Sequence, residues 1–191
     1  MAAARADEIL WTALDMIAVR GFRGTSLNAI ADRVGLSRQG VLHYFPSKQH
    51  LLDAVLQRTV ELGRGDIPAT QVREDLPDLL AAVVARNREH PAFAQAYAVL
   101  LAESVTPDHP AHAHFRDHYQ QVRDQMTHSF TECWGETLPS GLTPLAAATA
   151  LLALLDGLKQ QWLLDRTQVD HPEIIRSVLA VLIGSAPRAS R

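Results

Sequence analysis

Apolar side chains recur at steps of three and four residues along almost all of the 191-residue chain, and no segment sustains the two-residue alternation of a strand. The spacing predicts an all-α protein of about nine helices. A first helix runs from about Ala2 to Arg20, with Ile9, Ala13, Met16 and Ile17 on one side, and Gly21 ends it as a left-handed cap. The cleanest later stripe is Phe115, Tyr119, Val122, Met126, Ser129 and Cys133.

Turn and cap residues divide the pattern. Thr25 or Ser26 can cap a short helix that buries Leu27, Ile30, Ala31 and Val34. Gly35 turns the chain, Ser37 caps the next helix, Pro46 stops it, and Ser47 caps a helix carrying Leu51, Leu52, Val55 and Leu56. Gly63, Gly65 and Pro68 read as a linker. Further helices are expected over 77–90, 91–104, a segment following Pro110, 145–165 and 172–183. Pro77, Pro91, Pro110, Pro144 and Pro172 are each placed at a first helical position, where the missing donor costs nothing. The tail, 186–191, is expected to be disordered.

Composition removes whole classes of function. Acidic residues near the start interrupt the apolar stretch that a secretion signal needs. The longest uncharged run, Leu138 to Leu155, is broken by Pro139, Gly141 and Pro144, so it is a poor membrane span. A lone cysteine, Cys133, has no internal disulfide partner and fits the reducing cytoplasm. Net charge is −3, yet residues 1–60 hold seven basic side chains against five acidic ones. A mildly basic head on an acidic body is compatible with a polyanionic partner.

Chemistry concentrates between Thr25 and Lys48. Two short helices joined by Gly35-Leu36-Ser37 fit a helix-turn-helix. Ala31 is small enough for close crossing, and Leu36, Val41 and Phe45 anchor the second helix to the core. Its opposite face then presents Arg38, Gln39 and His43. An α-helix fits the major groove, where Arg suits guanine and Gln suits adenine. Thr25, Ser37, Tyr44 and Lys48 stand at helix ends or flanks, where their donors can hold phosphates.

The stretch GFRGTSLNAIADRVGLSRQGVLHYFPSKQHLLDAVL resembles the DNA-binding region of the tetracycline-repressor (TetR) family. The resemblance is carried by Gly21-Phe22, Thr25-Ser26, Ile30-Ala31, Gly35-Leu36-Ser37, Tyr44-Phe45 and Lys48, and it covers roughly residues 5–60. It implies a helix-turn-helix domain over 1–62 and a ligand-binding and dimerisation domain over 63–185. It also implies a homodimer on a palindromic double-stranded DNA operator, released by a small-molecule effector. Gln39 and Leu42 depart from the family's usual small residue and tyrosine. Leu42 cannot donate to a phosphate, so it packs inward or touches a thymine methyl.

The remaining helices suggest an interface and a pocket. The segment 145–165 is too apolar to have one wet side. Leu154, Leu158 and Trp162, with Ile174, Val178 and Leu182 from the last helix, are expected at a dimer interface. Phe93, Tyr97, Phe115, Tyr119, Met126 and Trp162 are candidate walls of a ligand site, with Glu103, His118 and Gln161 as polar handles. His109, His112, His114 and His118 cluster, but without the ligand spacing of a zinc site, so neither metal nor cofactor is expected. HExxH, P-loop, Gly-x-Ser-x-Gly and dinucleotide glycine patterns are all absent, which argues against an enzyme. The expectation is a ligand-released repressor. Its rivals are a small-molecule-binding helical module with a degenerate head and, more weakly, a helical enzyme.

Overall fold

A computed structural model describes residues 2–63, 76, 80, 85, 88–167 and 171–184. Eight helices are placed in full: α1 (Ala2–Arg20), α2 (Leu27–Arg33), α3 (Arg38–Tyr44), α4 (Lys48–Gly63), α5 (Pro91–Ser104), α6 (His112–Trp134), α7 (Pro144–Leu164) and α8 (His171–Ile183). Among the described residues there is no strand. Of the helix expected over 77–90, Leu80, Ala85, Arg88 and Glu89 are helical, as is Leu76 just before it. Its other residues up to Asn87, Pro77 included, lie outside the described residues, as do Gly65, Pro68 and the tail 186–191.

The chain forms two compact units. One comprises 1–63 with 90–116, and the other 64–89 with 117–191. The first is therefore larger than the head read from the sequence, because α5 packs along α1. Ile9, Leu10, Ala13, Leu14 and Ile17 line the buried side of α1 at helical spacing. Gly21 closes that helix at φ +70°, its N–H bonded to Ile17 O at 2.9 Å. Gln95 of α5 reaches Ala18 O at 3.0 Å and so satisfies one of the carbonyls that a helix end leaves open.

In the second unit, Phe130, Leu151, Leu158, Ile175 and Leu179 form the centre of a core built from α6, α7 and α8. Thr143 caps α7 by accepting from Ala146 N, with Pro144 in the first turn as expected. Pro110 instead precedes α6 by two residues, and Pro172 is the second residue of α8.

The residues expected at a dimer interface differ in exposure, and Ile174 is among the exposed ones. Leu158, Trp162 and Leu182 are buried in their own unit's core, so they are not free surface. Leu154 and Val178 are partly buried against that core. Among the described residues of α7 and α8, the large apolar side chains left exposed are Leu145, Leu164, Ile174 and Val181. Periodicity locates an apolar face well, but on a helix that is apolar nearly all round it cannot rank the faces.

Candidate nucleic-acid interface

The helix-turn-helix is built by local chemistry. Ser26 takes extended backbone and its hydroxyl accepts from Ala29 N at 3.1 Å, which opens α2. Gly35, at φ +66°, ends it: Gly35 N bonds Asp32 O at 3.4 Å and Leu36 N bonds Ala31 O at 2.9 Å. That paired pattern closes a helix through a left-handed glycine and returns the chain at a sharp angle. Arg5 of α1 holds the same turn from behind, donating to Val34 O at 2.8 Å.

Ser37 opens α3 by accepting from Gly40 N at 3.1 Å. The helix is braced from one side by Val41, which is 0% exposed, with Leu36 and Phe45 half-buried beside it. The opposite face leaves Arg38, Gln39 and His43 exposed. Leu42 and Tyr44 are half-buried, and Tyr44 meets the His43 ring edge-on at 5.4 Å. Seven residues make barely two turns, so the rigidity of α3 comes from this bracing rather than from its own hydrogen bonds.

Arg38 also lines an open cleft of about 440 Å³, together with Arg23, Thr25, Ser26, Leu27, Asn28 and Lys48. Three cations and three neutral polar residues thus converge beside the start of α3. Lys48 begins α4, where Ser47 accepts from His50 N at 3.2 Å. Its ammonium donates to Phe22 O at 2.6 Å and lies 4.1 Å from the centre of the Phe22 ring. Burial pushes its pKa below the usual 10.5, while the charge of Glu103 acts in the opposite sense.

Thr25, expected as a phosphate donor, lines the same cleft. It is buried, and its hydroxyl donates to Gly21 O at 2.8 Å, so that hydroxyl ties the turn together. Ser26, the neighbouring candidate cap, holds the exposed position. Arg23 and Asn28 were not singled out by sequence reasoning. A basic side chain two residues ahead of the Thr25-Ser26 pair was the available signal for Arg23. Asn28 offered none.

The residues expected around a ligand divide between the two units. Phe93, Tyr97, Glu103 and Phe115 fall in the first; His118, Tyr119, Met126, Gln161 and Trp162 fall in the second. Phe93, Phe115 and Trp162 are buried, and Gln161 is exposed. Tyr97 packs edge-on against Phe115 at 5.3 Å between ring centres. Tyr119 donates to the carboxylate of Asp156, which also accepts from Lys159 at 3.3 Å. Glu103, expected as a polar handle for a ligand, instead accepts from Phe22 N at 2.9 Å. Those two residues are 81 positions apart, so no local pattern could have announced the contact.

The histidines go separate ways. His109 Nδ1 accepts from Ala111 N at 3.2 Å, which places the proton of the neutral ring on Nε2 and leaves no lone pair there for a metal. His112 Nδ1 faces Ser104 O at 2.8 Å, so it donates. Among the described residues no three His, Cys, Asp or Glu side chains gather in a metal-holding group.

Comparison with known proteins agrees with this geometry. Residues 9–55 match the family described as bacterial regulatory proteins, tetR family. Residues 72–184, more than half of the chain, match the carboxy-terminal region of BetI-type transcriptional repressors. The HTH-type transcriptional regulator RutR of Escherichia coli K12 is 40% identical over 78 residues, covering 41% of this chain and 36% of RutR. The chain thus aligns with little more than a third of that relative's length. NalD, the secondary repressor of the MexAB-OprM multidrug efflux pump in Pseudomonas aeruginosa, superposes with a TM-score of 0.69 at 23% identity over all of both chains. AibR, solved with isovaleryl coenzyme A and operator DNA, superposes with a TM-score of 0.69 at 20% identity, covering 94% of this chain and 98% of its own. The exposed polar face of α3, the capped turn before it and the two matched regions lead to one assignment: this chain belongs to the TetR family of bacterial transcriptional regulators.

Proposed function

We propose that the protein is a repressor that binds a palindromic duplex operator as a homodimer, in the cytoplasm, and is released from it by a small-molecule effector. One observation carries the reading: α3 is anchored by Val41 and turns Arg38, Gln39 and His43 outward together. Arg38 reads guanine, Gln39 reads adenine, and His43 and Leu42 reach the adjoining base edges. Ser37, Tyr44 and Lys48 hold phosphates that set the register of the helix, with Arg23 added from the cleft. Two such helices, one from each subunit, enter successive major grooves about 34–36 Å apart. NalD, a repressor, and AibR, solved with a ligand and operator DNA, support this reading. No helix among the described residues is long and apolar enough to cross a membrane.

Effector and operator then weaken each other by the same factor, since both act on one equilibrium between two spacings of the recognition helices. A titration of duplex DNA from beside the protein's own coding region, at moderate salt, tests the proposal. Binding to one segment well above random duplex is expected. Equal binding to both would leave a helical module with a degenerate head.

A further inference from the structure

The Gly21–Phe22 turn, which joins α1 to the helix-turn-helix, is held at every polar atom it offers. Glu103, from the last turns of α5, accepts from Phe22 N at 2.9 Å. Lys48, from the first turn of α4, donates to Phe22 O at 2.6 Å and covers the ring. Thr25 donates to Gly21 O. His109 meets the Phe22 ring edge-on at 5.7 Å, and its Nε2 lies 3.6 Å from Glu103 Oε2. The turn also leaves no space beside it: a Cβ at Gly21 would stand 2.2 Å from Glu103 Oε1. A side chain 81 residues away in sequence is thus fitted to the Gly21–Phe22 peptide, and Lys48 holds the next peptide, Phe22–Arg23, across the Phe22 Cα.

We propose that Glu103 is a positioning residue for DNA binding: by holding the N–H of Phe22 its carboxylate fixes the residue on which the Lys48 ammonium rests where a phosphate is met. The inference rests on the DNA-binding reading above and adds a route to it. The ammonium has three donors, and only one is directed to Phe22 O, so the lysine can serve the turn and a phosphate together. Glu103 contributes twice. It anchors the N–H of Phe22, the residue whose carbonyl, in the following peptide, and whose ring hold Lys48, and its negative charge opposes the loss of proton affinity that burial imposes on the lysine. Withdrawal of Glu103 loosens the backbone at Phe22 and, with it, one charge-assisted phosphate contact. Any movement at the end of α5 therefore reaches the DNA face without passing along α4. Buried His109 Nε2–H, which lacks a hydrogen-bond partner, gives the carboxylate an alternative partner close at hand.

The test uses the full chain and a labelled random-sequence duplex, because a phosphate contact does not depend on the operator. Wild type, Glu103→Ala, Glu103→Gln, Lys48→Ala and the double variants are titrated across a salt series. Lys48→Ala is expected to bind roughly tenfold more weakly and to lower the slope of log K against log salt by about one. Glu103→Ala should reproduce both effects and add nothing in the Lys48→Ala background. Glu103→Gln, which retains an oxygen for Phe22 N–H, should recover most of the affinity. A wild-type salt slope in Glu103→Ala, or losses that add to those of Lys48→Ala, would overturn the proposal.

Two DNA-free signals separate this inference from the regulatory reading. In Glu103→Ala the Lys48 titration, followed at its Cε carbon by NMR, should shift to lower pH, and the Phe22 amide should exchange faster. If wild type binds no duplex, the regulatory reading fails while these signals still report on the Glu103–Phe22–Lys48 link. If both signals are unchanged, the link itself is refuted. Should Glu103→Ala not fold, Glu103→Gln carries the test, with a lowered Lys48 midpoint expected and an unaltered one contradicting it.

Discussion

Single atoms decide the behaviour of the turn between α1 and α2. Gly21 takes φ +70°, a conformation that costs an L-residue about 1–2 kcal/mol, and Glu103 occupies the space a Cβ would need. Gly21→Ala should therefore destabilise the protein by at least about 1–2 kcal/mol in a denaturant melt; an unchanged midpoint would mean that neither the backbone nor Glu103 constrains this position. His109 gives a pH signature. Burial lowers its pKa from 6.5, with Glu103 and Asp108 acting to raise it and Arg23 to lower it. The folded state then binds fewer protons than the unfolded state below pH 6.5, so the His109 contribution is complete above that value and is lost as the pH falls. His109→Asn keeps an acceptor for Ala111 N–H and removes the titration. Its thermal midpoint should fall less than that of wild type between pH 7.5 and pH 5.5 (about one unit either side of the ordinary histidine value). Parallel decreases would assign the acid sensitivity to other groups.

At the scale of the element, α3 is a short helix made rigid by its ends and by one buried side chain. Ser37→Ala removes the cap and should cost about 1 kcal/mol of stability, read by chemical denaturation; a loss near zero would show that α3 is held by Val41 alone. Arg38→Ala should reduce the preference for operator over random duplex by about 1–3 kcal/mol, whereas Lys48→Ala should weaken both alike. Competition titrations with the two DNAs distinguish these outcomes, and equal losses in the Arg38 variant would exclude it from base reading. Much of this element was legible in the sequence, because a cap, a glycine turn and a three-four apolar rhythm are local signals. Ser37, Gly35 and Val41 are such cases. Thr25 was not. Two adjacent hydroxyls could each cap α2, and only the tertiary turn shows that Ser26 does so while Thr25 is buried on Gly21 O.

For the whole molecule, sequence periodicity established an all-helical chain and left open which apolar faces remain outside. Leu158, Trp162 and Leu182 belong to an internal core, while Ile174 and Val181 remain 36% and 73% exposed. Each set has helical spacing, and long-range packing alone separates them. If α7 and α8 pair across a two-fold axis, Val181→Glu should convert a dimer to a folded monomer by light scattering, whereas Leu158→Glu should unfold the unit. A dimeric Val181→Glu protein would place the contact elsewhere. Glu103 illustrates the same limit for the candidate site: its side chain type fits a ligand handle, and only the fold reveals that it grips a turn 81 residues away. Regulation by this protein depends on α3 reading bases, and selection of binding sites from a pool of random duplexes addresses that directly. The expected product is an inverted repeat with half-sites about 10 base pairs apart centre to centre, whose guanine position becomes degenerate when the selection is repeated with Arg38→Ala. A pool that wild-type protein leaves unenriched, or a motif indifferent to Arg38, would contradict it.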